Sequence, residues 1–271
     1  MTVWPNFVVV EGIDGCGKSV IVASLKEWAM AQGLACFDLR KYWTEPNNER
    51  GDIPSLKKLR FLKQIDLGQE VLYAEVQKEQ NYDVILSAEP TYSHQGKFIR
   101  EIITHKKRSW DYSAKSVAQA FALDRESLYK ELILDALKAG CYVFQERWFA
   151  SSFAYQPLQA CERGESLTVE ELLELPGNAL AVANPPGLII VPKISSEEAM
   201  ARLAKRDKRD QSDFERVAFQ AKLAERYYSD QFVSFFEALG SKVVYLERTE
   251  NPEQTMAVAI ACWQNYLKNH S

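Results

Sequence analysis

The chain lacks any pair of cysteines at metal-binding or redox spacing. Its five cysteines, Cys16, Cys36, Cys141, Cys161 and Cys262, include no CxxC, and its three histidines, His94, His105 and His270, are scattered. Both facts argue against a zinc site and a disulfide framework, so the chain reads as cytoplasmic. A basic excess is lacking too. Thirty-three Lys and Arg against 37 Asp and Glu give a formal charge of −4, without the positive footprint that general nucleic-acid binding needs. No apolar run approaches the length of a membrane span, and the N-terminus has no basic-then-apolar signal segment. Repeats and low-complexity stretches are also missing. What remains, at 271 residues and 46% hydrophobic, is enough for one sizeable α/β core. It is long for a single domain, so insertions are expected.

Against these absences stands "EGIDGCGKS", Glu11 to Ser19. Gly12, Gly17, Lys18 and Ser19 fill the pattern Gly-x-x-x-x-Gly-Lys-Ser/Thr, the P-loop, in which successive backbone N–H groups wrap a polyphosphate. The apolar run Phe7–Val10 before it reads as a buried strand, and Val20–Met30 after it carries helical spacing. A helix N-terminus, with its free N–H groups and positive dipole end, therefore lies under the phosphates. Gly12, Asp14, Gly15, Cys16, Gly17, Lys18 and Ser19 form the candidate ATP site. Lys18 is expected to reach the β/γ-phosphates and Ser19 to ligate Mg²⁺. With the acidic balance, the phosphate partner reads as small rather than polymeric.

Buried-strand runs recur at Val84–Leu86, Tyr142–Phe144, Leu188–Val191 and Val243–Leu246, with helical patterns between them. That alternation predicts a five-stranded parallel sheet flanked by helices. Capping pairs at Ser195/Glu198 and Thr168/Glu171, the Asn251-Pro252 start, and Gly33, Gly140 and Gly240 punctuate the helices. The whole of 1–271 reads as a single domain with insertions at about 41–80 and 160–184 and a lid at about 202–215. Packing or subunit contact is the expected job of the insertions, with substrate gating as the alternative.

The acceptor side is sought at the carboxyl ends of the other strands. "AEPTYSHQGKFIRE" puts Glu89 and Pro90 at the cleft, with Lys97 and Arg100 on the following helix. "AFALDRESLY" sets Phe121 and Arg125 one helical turn apart, a stacking face beside base-edge donors. "YVFQERWFASSFAYQ" places Glu146 beside the loop as the acid that holds Mg²⁺ through water, and Arg147 between two phosphates. "ARLAKRDKRDQSDFE" groups Arg202, Arg206 and Arg209 on a segment able to close over ATP. Each also has a structural reading. Lys97 and Arg100 make a solvated edge, Phe121 a core ring beside a salt-bridged Arg125, Glu146 and Arg147 internal ion pairs, and the lid a self-paired helix.

In this order the segments resemble the thymidylate kinase family over roughly Phe7 to Phe235 outside the insertions. "FVVVEGIDGCGKS", "EPTYSHQGKFIR", "FALDR", "ERW-x-x-SS-x-AYQ" and the arginine-rich lid look like its motifs. The resemblance implies a P-loop NTPase fold, a homodimer, and Mg·ATP-dependent phosphorylation of dTMP or a close relative. By position it implies that Asp14 holds the sugar hydroxyl, Phe121 stacks on thymine and Arg125 meets the base carbonyl. Arg100 and Arg147 would clamp the acceptor phosphate, with Glu89, Pro90, Tyr155 and Gln156 lining the pocket. Lys18, Glu146, Arg147 and a lid cation, Arg206 or Arg209, would be catalytic, because Gly15 stands where some members carry a loop arginine. Ser19 and Glu146 would hold the metal. Departures are Glu146 for the usual Asp, Ala88 for an Arg, Val20 for a Thr, and "SDFE" for Asp-Arg-x-Glu. Glu-Arg at a strand end also resembles deoxynucleoside kinases, which keeps a thymidine-type acceptor open, with Glu89 as its base. A non-catalytic nucleotide-binding module is the third reading.

Overall fold

The computed structural model describes residues 1–42, 82–103, 112–204, 217–247 and 251–270. Strand β1 (Trp4–Val10) runs through the glycine-rich loop into helix α1 (Lys18–Ala31). Strand β2 (Cys36–Asp38) leads into a single turn, α2 (Leu39–Tyr42). After β3 (Val84–Ala88), α3 (His94–Phe98) passes into a π-helical turn at Ile99–Ile103. Helix α4 (Ala114–Leu128), a second π-turn (Tyr129–Ile133) and α5 (Leu134–Lys138) precede β4 (Tyr142–Glu146). Then come α6 (Phe149–Glu162), α7 (Val169–Leu173), α8 (Pro176–Ala183) and β5 (Pro186–Lys193). Helices α9 (Ser196–Ala204), α10 (Val217–Tyr227) and α11 (Asp230–Ala238), strand β6 (Lys242–Glu247) and α12 (Pro252–Lys268) complete the order.

All strand pairs are parallel, in the order β2-β3-β4-β1-β5-β6. The sheet thus has six strands among the described residues, not the expected five. The added one, β2, is a three-residue edge strand whose "CFD" ends on a charge and is too short to show alternation. The five expected strands are all present, each longer by two to four residues.

Period-two alternation divides the core between the sheet's two faces. Phe7, Val9, Val143 and Ile189 face one layer, where Phe149, Phe153, Phe232 and Phe236 of α6 and α11 pack edge to face. Val8, Val10, Phe144 and Ile190 face the other, against α1 and α12, with Trp28 and Trp263 in T-shaped contact. Thr168 and Glu171 make the expected capping box, Ser195 accepts from the Glu198 N–H, and Asn251 accepts from the Glu253 N–H. The insertion at about 41–80 and the lid arginines Arg206 and Arg209 lie almost wholly or entirely outside the described residues. Residues 160–184 fold as the end of α6, then α7 and α8, and α8 lies against α4 so closely that a Cβ at Gly177 would overlap the Ala122 carbonyl. Among the described residues no helix is long and apolar enough to cross a membrane.

Candidate functional site

The carboxyl ends of β1, β3 and β4 open into one cleft of about 680 Å³. Its lining includes Asp14, Gly15, Gly17, Lys18, Ser19, Glu89, Pro90, Arg100, Phe121, Arg125, Glu146, Arg147, Tyr155 and Gln156, so the two halves sought in the sequence share one space.

The glycine-rich loop's backbone shapes one end of this cleft. Gly12, Gly15 and Gly17 all have positive φ, and Gly17 caps α1 at φ 97°. Two of these glycines answer to different needs. Gly17 turns the chain so that α1 starts at the loop, a conformation costly for residues with a Cβ. At Gly15, with φ +80°, a Cβ would also overlap the Ala199 carbonyl of α9, so no side chain fits there. Lys18 is 5% exposed, and its Nζ donates to the carbonyls of Gly12 and Ile13 at 3.0 and 2.8 Å, within the curl of the loop. Cys16 is buried beneath it, with Sγ 3.8 Å from Nζ, and burial pushes its thiol up, so it stays protonated.

Two charged residues close β4. The Ser19 hydroxyl donates to Glu146 Oε2 at 2.8 Å. A hydroxyl and a carboxylate converging at the first turn of the phosphate-loop helix fit Mg²⁺, which keeps most of its waters and needs few protein oxygens. Arg147 sits in the left-handed region at φ 65°, unusual for a residue with a side chain and costing on the order of 1–3 kcal/mol. This turn lets its N–H reach the Val10 carbonyl at 3.0 Å while Nη2 pairs with Asp14. Nη1 donates to Ser151 Oγ at 3.0 Å and the guanidinium lies 5.1 Å from the centre of the Tyr155 ring. Glu146 and Arg147 therefore serve separate partners rather than each other. Burial alone lifts the Asp14 carboxyl, but Arg147 and Lys18 outweigh it and hold Asp14 below the usual carboxylate range.

The other end of the cleft is built on β3, α4 and α6. Glu89 is 4% exposed; Oε2 accepts from Arg125 Nε at 2.8 Å and Oε1 from Gln145 Nε2 at 3.0 Å. Gln145 Nε2 also donates to the Arg147 carbonyl at 2.9 Å, which ties the two strand ends together. Arg125, 1% exposed, further donates to Asn178 Oδ1 and, at 3.1 Å, to Ser152 Oγ. Arg100 lies 3.9 Å over the Tyr92 ring, with Nε donating to the Thr91 carbonyl at 3.0 Å and Nη2 to that of Pro90. Lys97 is exposed instead. Lys97 lies in α3 and Arg100 in the π-turn that begins at Ile99, and of the two Arg100 lines the cleft. Phe121 is half-buried and lines the cleft, and Gln156 Oε1 is buried with no hydrogen-bond partner among the described residues.

Burial, only partly offset by Arg125, pushes the Glu89 carboxyl from an ordinary 4.5 up to about 7. Native Glu89 thus binds its proton more tightly than unfolded Glu89. Its contribution to stability is whole below pH 4.5 and is lost as pH rises through about 7. Thermal unfolding of Glu89→Gln is expected to lack that share of the decline, on the order of 3 kcal/mol. An unchanged pH slope would assign the decline to Glu11 and Asp124, whose carboxyls burial also raises.

Several residues that hold the site were not singled out in the sequence. Glu11, wholly buried, accepts from the Trp148 and Ser151 N–H groups at 2.6 and 3.1 Å, from Ser151 Oγ at 2.7 Å and from Tyr227 OH at 3.0 Å. Gln220, two helical turns before Tyr227 on α10, accepts from the Asp14 N–H and donates to Asp14 Oδ2, both at 3.2 Å. Helix α10 is therefore bonded to the loop at Glu11 and Asp14, while α9 touches Gly15. Arg202, near the end of α9, pairs with Glu198 on its own helix.

A family model described as thymidylate kinase matches residues 69–234, more than half of the chain. The chain belongs to the thymidylate kinase family. It is 30% identical over 227 residues to a probable thymidylate kinase of Thermococcus onnurineus, 82% of each chain. With a probable thymidylate kinase of Pyrococcus abyssi it shares 33% over 214 residues, 78% of this chain and 75% of that one. The likeness to a thymidylate kinase of Leptospira borgpetersenii is 26% over 265 residues, 98% of this chain and 95% of the other, so it takes in the phosphate loop that lies ahead of the family match.

Proposed function

We propose that this member of the thymidylate kinase family transfers the γ-phosphoryl group of ATP to dTMP or a closely related deoxynucleoside monophosphate. The observation that carries the reading is the Arg147–Asp14 pair, which ties the phosphate loop to the wall of the acceptor cleft. Two polyanions repel strongly where water is excluded, so cations must line their meeting point. Lys18 serves the donor phosphates, Arg147 the bridge, and Arg100 the acceptor phosphate, with Arg206 or Arg209 of the lid adding a further charge. An anionic acceptor oxygen forms the new P–O bond to the γ-phosphorus, the bond to the bridging β–γ oxygen breaks, and ADP leaves with that electron pair. No proton has to be removed from the acceptor. Ser19 and Glu146 would hold Mg²⁺, which supplies positive charge to the β- and γ-phosphate oxygens when bound.

Phe121 offers the stacking face for the base, and the unpartnered Gln156 Oε1 suits a base N–H donor such as that of thymine. Asp14 and Tyr155 suit the sugar hydroxyl. Arg125 acts from within its buried pairings, orienting the base end of the pocket. Because both oxygens of Glu89 are taken by Arg125 and Gln145, the carboxylate is ill placed to serve as the base that a nucleoside hydroxyl would require.

The test is ADP release from ATP with dTMP, dUMP, other monophosphates and thymidine run in parallel. Turnover with dTMP or dUMP and none with thymidine is expected. Turnover with thymidine alone, or tight ATP binding with no acceptor turned over, would overturn the reading. Phe121→Ala is expected to weaken acceptor binding by about 1–3 kcal/mol while leaving ATP binding unchanged. Equal affinity for the acceptor in both proteins would return this ring to a packing role.

A further inference from the structure

The edge strand β2, which the sequence pattern did not show, delivers Arg40 and Lys41 to the same cleft. Parallel register sets Asp38 opposite Leu86 of β3, and the turn α2 that follows brings Arg40 into the lining that Glu89 and Pro90 share. Asp38 is 8% exposed and grips the Arg40 guanidinium through both oxygens, Nε to Oδ1 at 2.9 Å and Nη2 to Oδ2 at 3.0 Å. Lys26 of α1 reaches the same carboxylate at 3.2 Å. Two-point pairing of this kind fixes the plane of the guanidinium and removes much of the entropy that an arginine loses when it binds an anion.

Charge balance gives this arrangement its purpose. The charged side chains that line the cleft are six cations, Lys18, Arg40, Lys41, Arg100, Arg125 and Arg147, against four carboxylates, Asp14, Asp38, Glu89 and Glu146. The net positive balance suits a cleft that must hold two phosphorylated ligands together, and without Arg40 and Lys41 it would vanish. Their side of the sheet decides which ligand they meet. Helices α9 and α10 contact the loop itself, at Gly15, Asp14 and Glu11, whereas β2 lies beyond β3, the strand that carries Glu89 and leads to Arg100. Two strand spacings, about 10 Å, separate β2 from β4, a gap that an arginine side chain and a bound phosphate span together.

We propose that Arg40, oriented by Asp38, is a binding residue for the phosphate of the monophosphate acceptor, with Lys41 adding to the local field. This inference rests on the reading of the cleft as a monophosphate kinase site. The test compares the full-length protein with Arg40→Gln, Arg40→Lys and Asp38→Asn. Binding of dTMP and of thymidine is measured by calorimetry, and KM for ATP and dTMP by steady-state kinetics. Arg40→Gln is expected to weaken dTMP about 10- to 100-fold while leaving thymidine affinity and the KM for ATP within about twofold. Arg40→Lys restores part of the loss, and Asp38→Asn shows a smaller loss of the same pattern, because the guanidinium remains but is no longer fixed.

Loss of thymidine and dTMP affinity in equal measure would make Arg40 a strut of the sheet edge and overturn the proposal. So would a rise confined to the KM for ATP, or no change at all. A wild-type protein that binds neither acceptor would instead strike down the functional reading, an outcome visible before any variant is made.

Discussion

Lys18→Ala is expected to lower kcat at least about 10³-fold while ATP binding weakens far less. The ammonium is almost wholly buried and stands between two loop carbonyls, so it is fixed in place before any phosphate arrives. A preorganised charge of this kind does its work where negative charge develops on the transferring group, and alanine leaves nothing to substitute for it. Arginine at this position is expected to fail as well, since a planar fork does not fit the space that a compact ammonium fills among carbonyls. Single-turnover kinetics with saturating ATP, beside a melting curve, separate lost chemistry from lost structure. Turnover within about tenfold of wild type would sink the assignment of the loop as the donor site.

The second large effect is on stability. Arg125→Met is expected to cost about 3–5 kcal/mol, because it leaves Glu89 buried without its cation and Asn178 and Ser152 without their donor. Part of that cost is relieved if Glu89 takes up a proton, so the variant is expected to suffer more at pH 8 than at pH 5. The double variant Arg125→Met/Glu89→Gln should recover a measurable share, since no charge is then left unpaired in the interior. Denaturant unfolding at the two pH values checks both statements. An Arg125→Met protein as stable as wild type at pH 8 would mean that solvent reaches Glu89 freely, contrary to its burial.

Much of this was legible in the chain because the signals were local. The loop's glycines, the strand-to-helix switch at Lys18, the Glu-Pro at the end of β3 and the Glu-Arg at the end of β4 each declare themselves within a few residues. Their meeting in one cleft followed from the rule that strands of a parallel sheet present their carboxyl ends together. The parts that escaped depend on partners far away in the chain. Gln220 reaches Asp14, Tyr227 reaches Glu11 and Asn178 reaches Arg125, and in none of these pairs does either residue's own neighbourhood announce the other. Strand β2 escaped for another reason: three residues cannot display a period of two, and only pairing with β3 makes them a strand. That Arg100 lines the cleft while Lys97 is exposed is likewise not something residue type alone specifies.

The carbonyl of Ala199 poised over Gly15 has a practical consequence. A side chain grafted at position 15 would meet helix backbone rather than the flexible end of a neighbour, so a cation could not be added to the loop there without moving α9. Any redesign of this loop therefore has to begin with the helix that covers it.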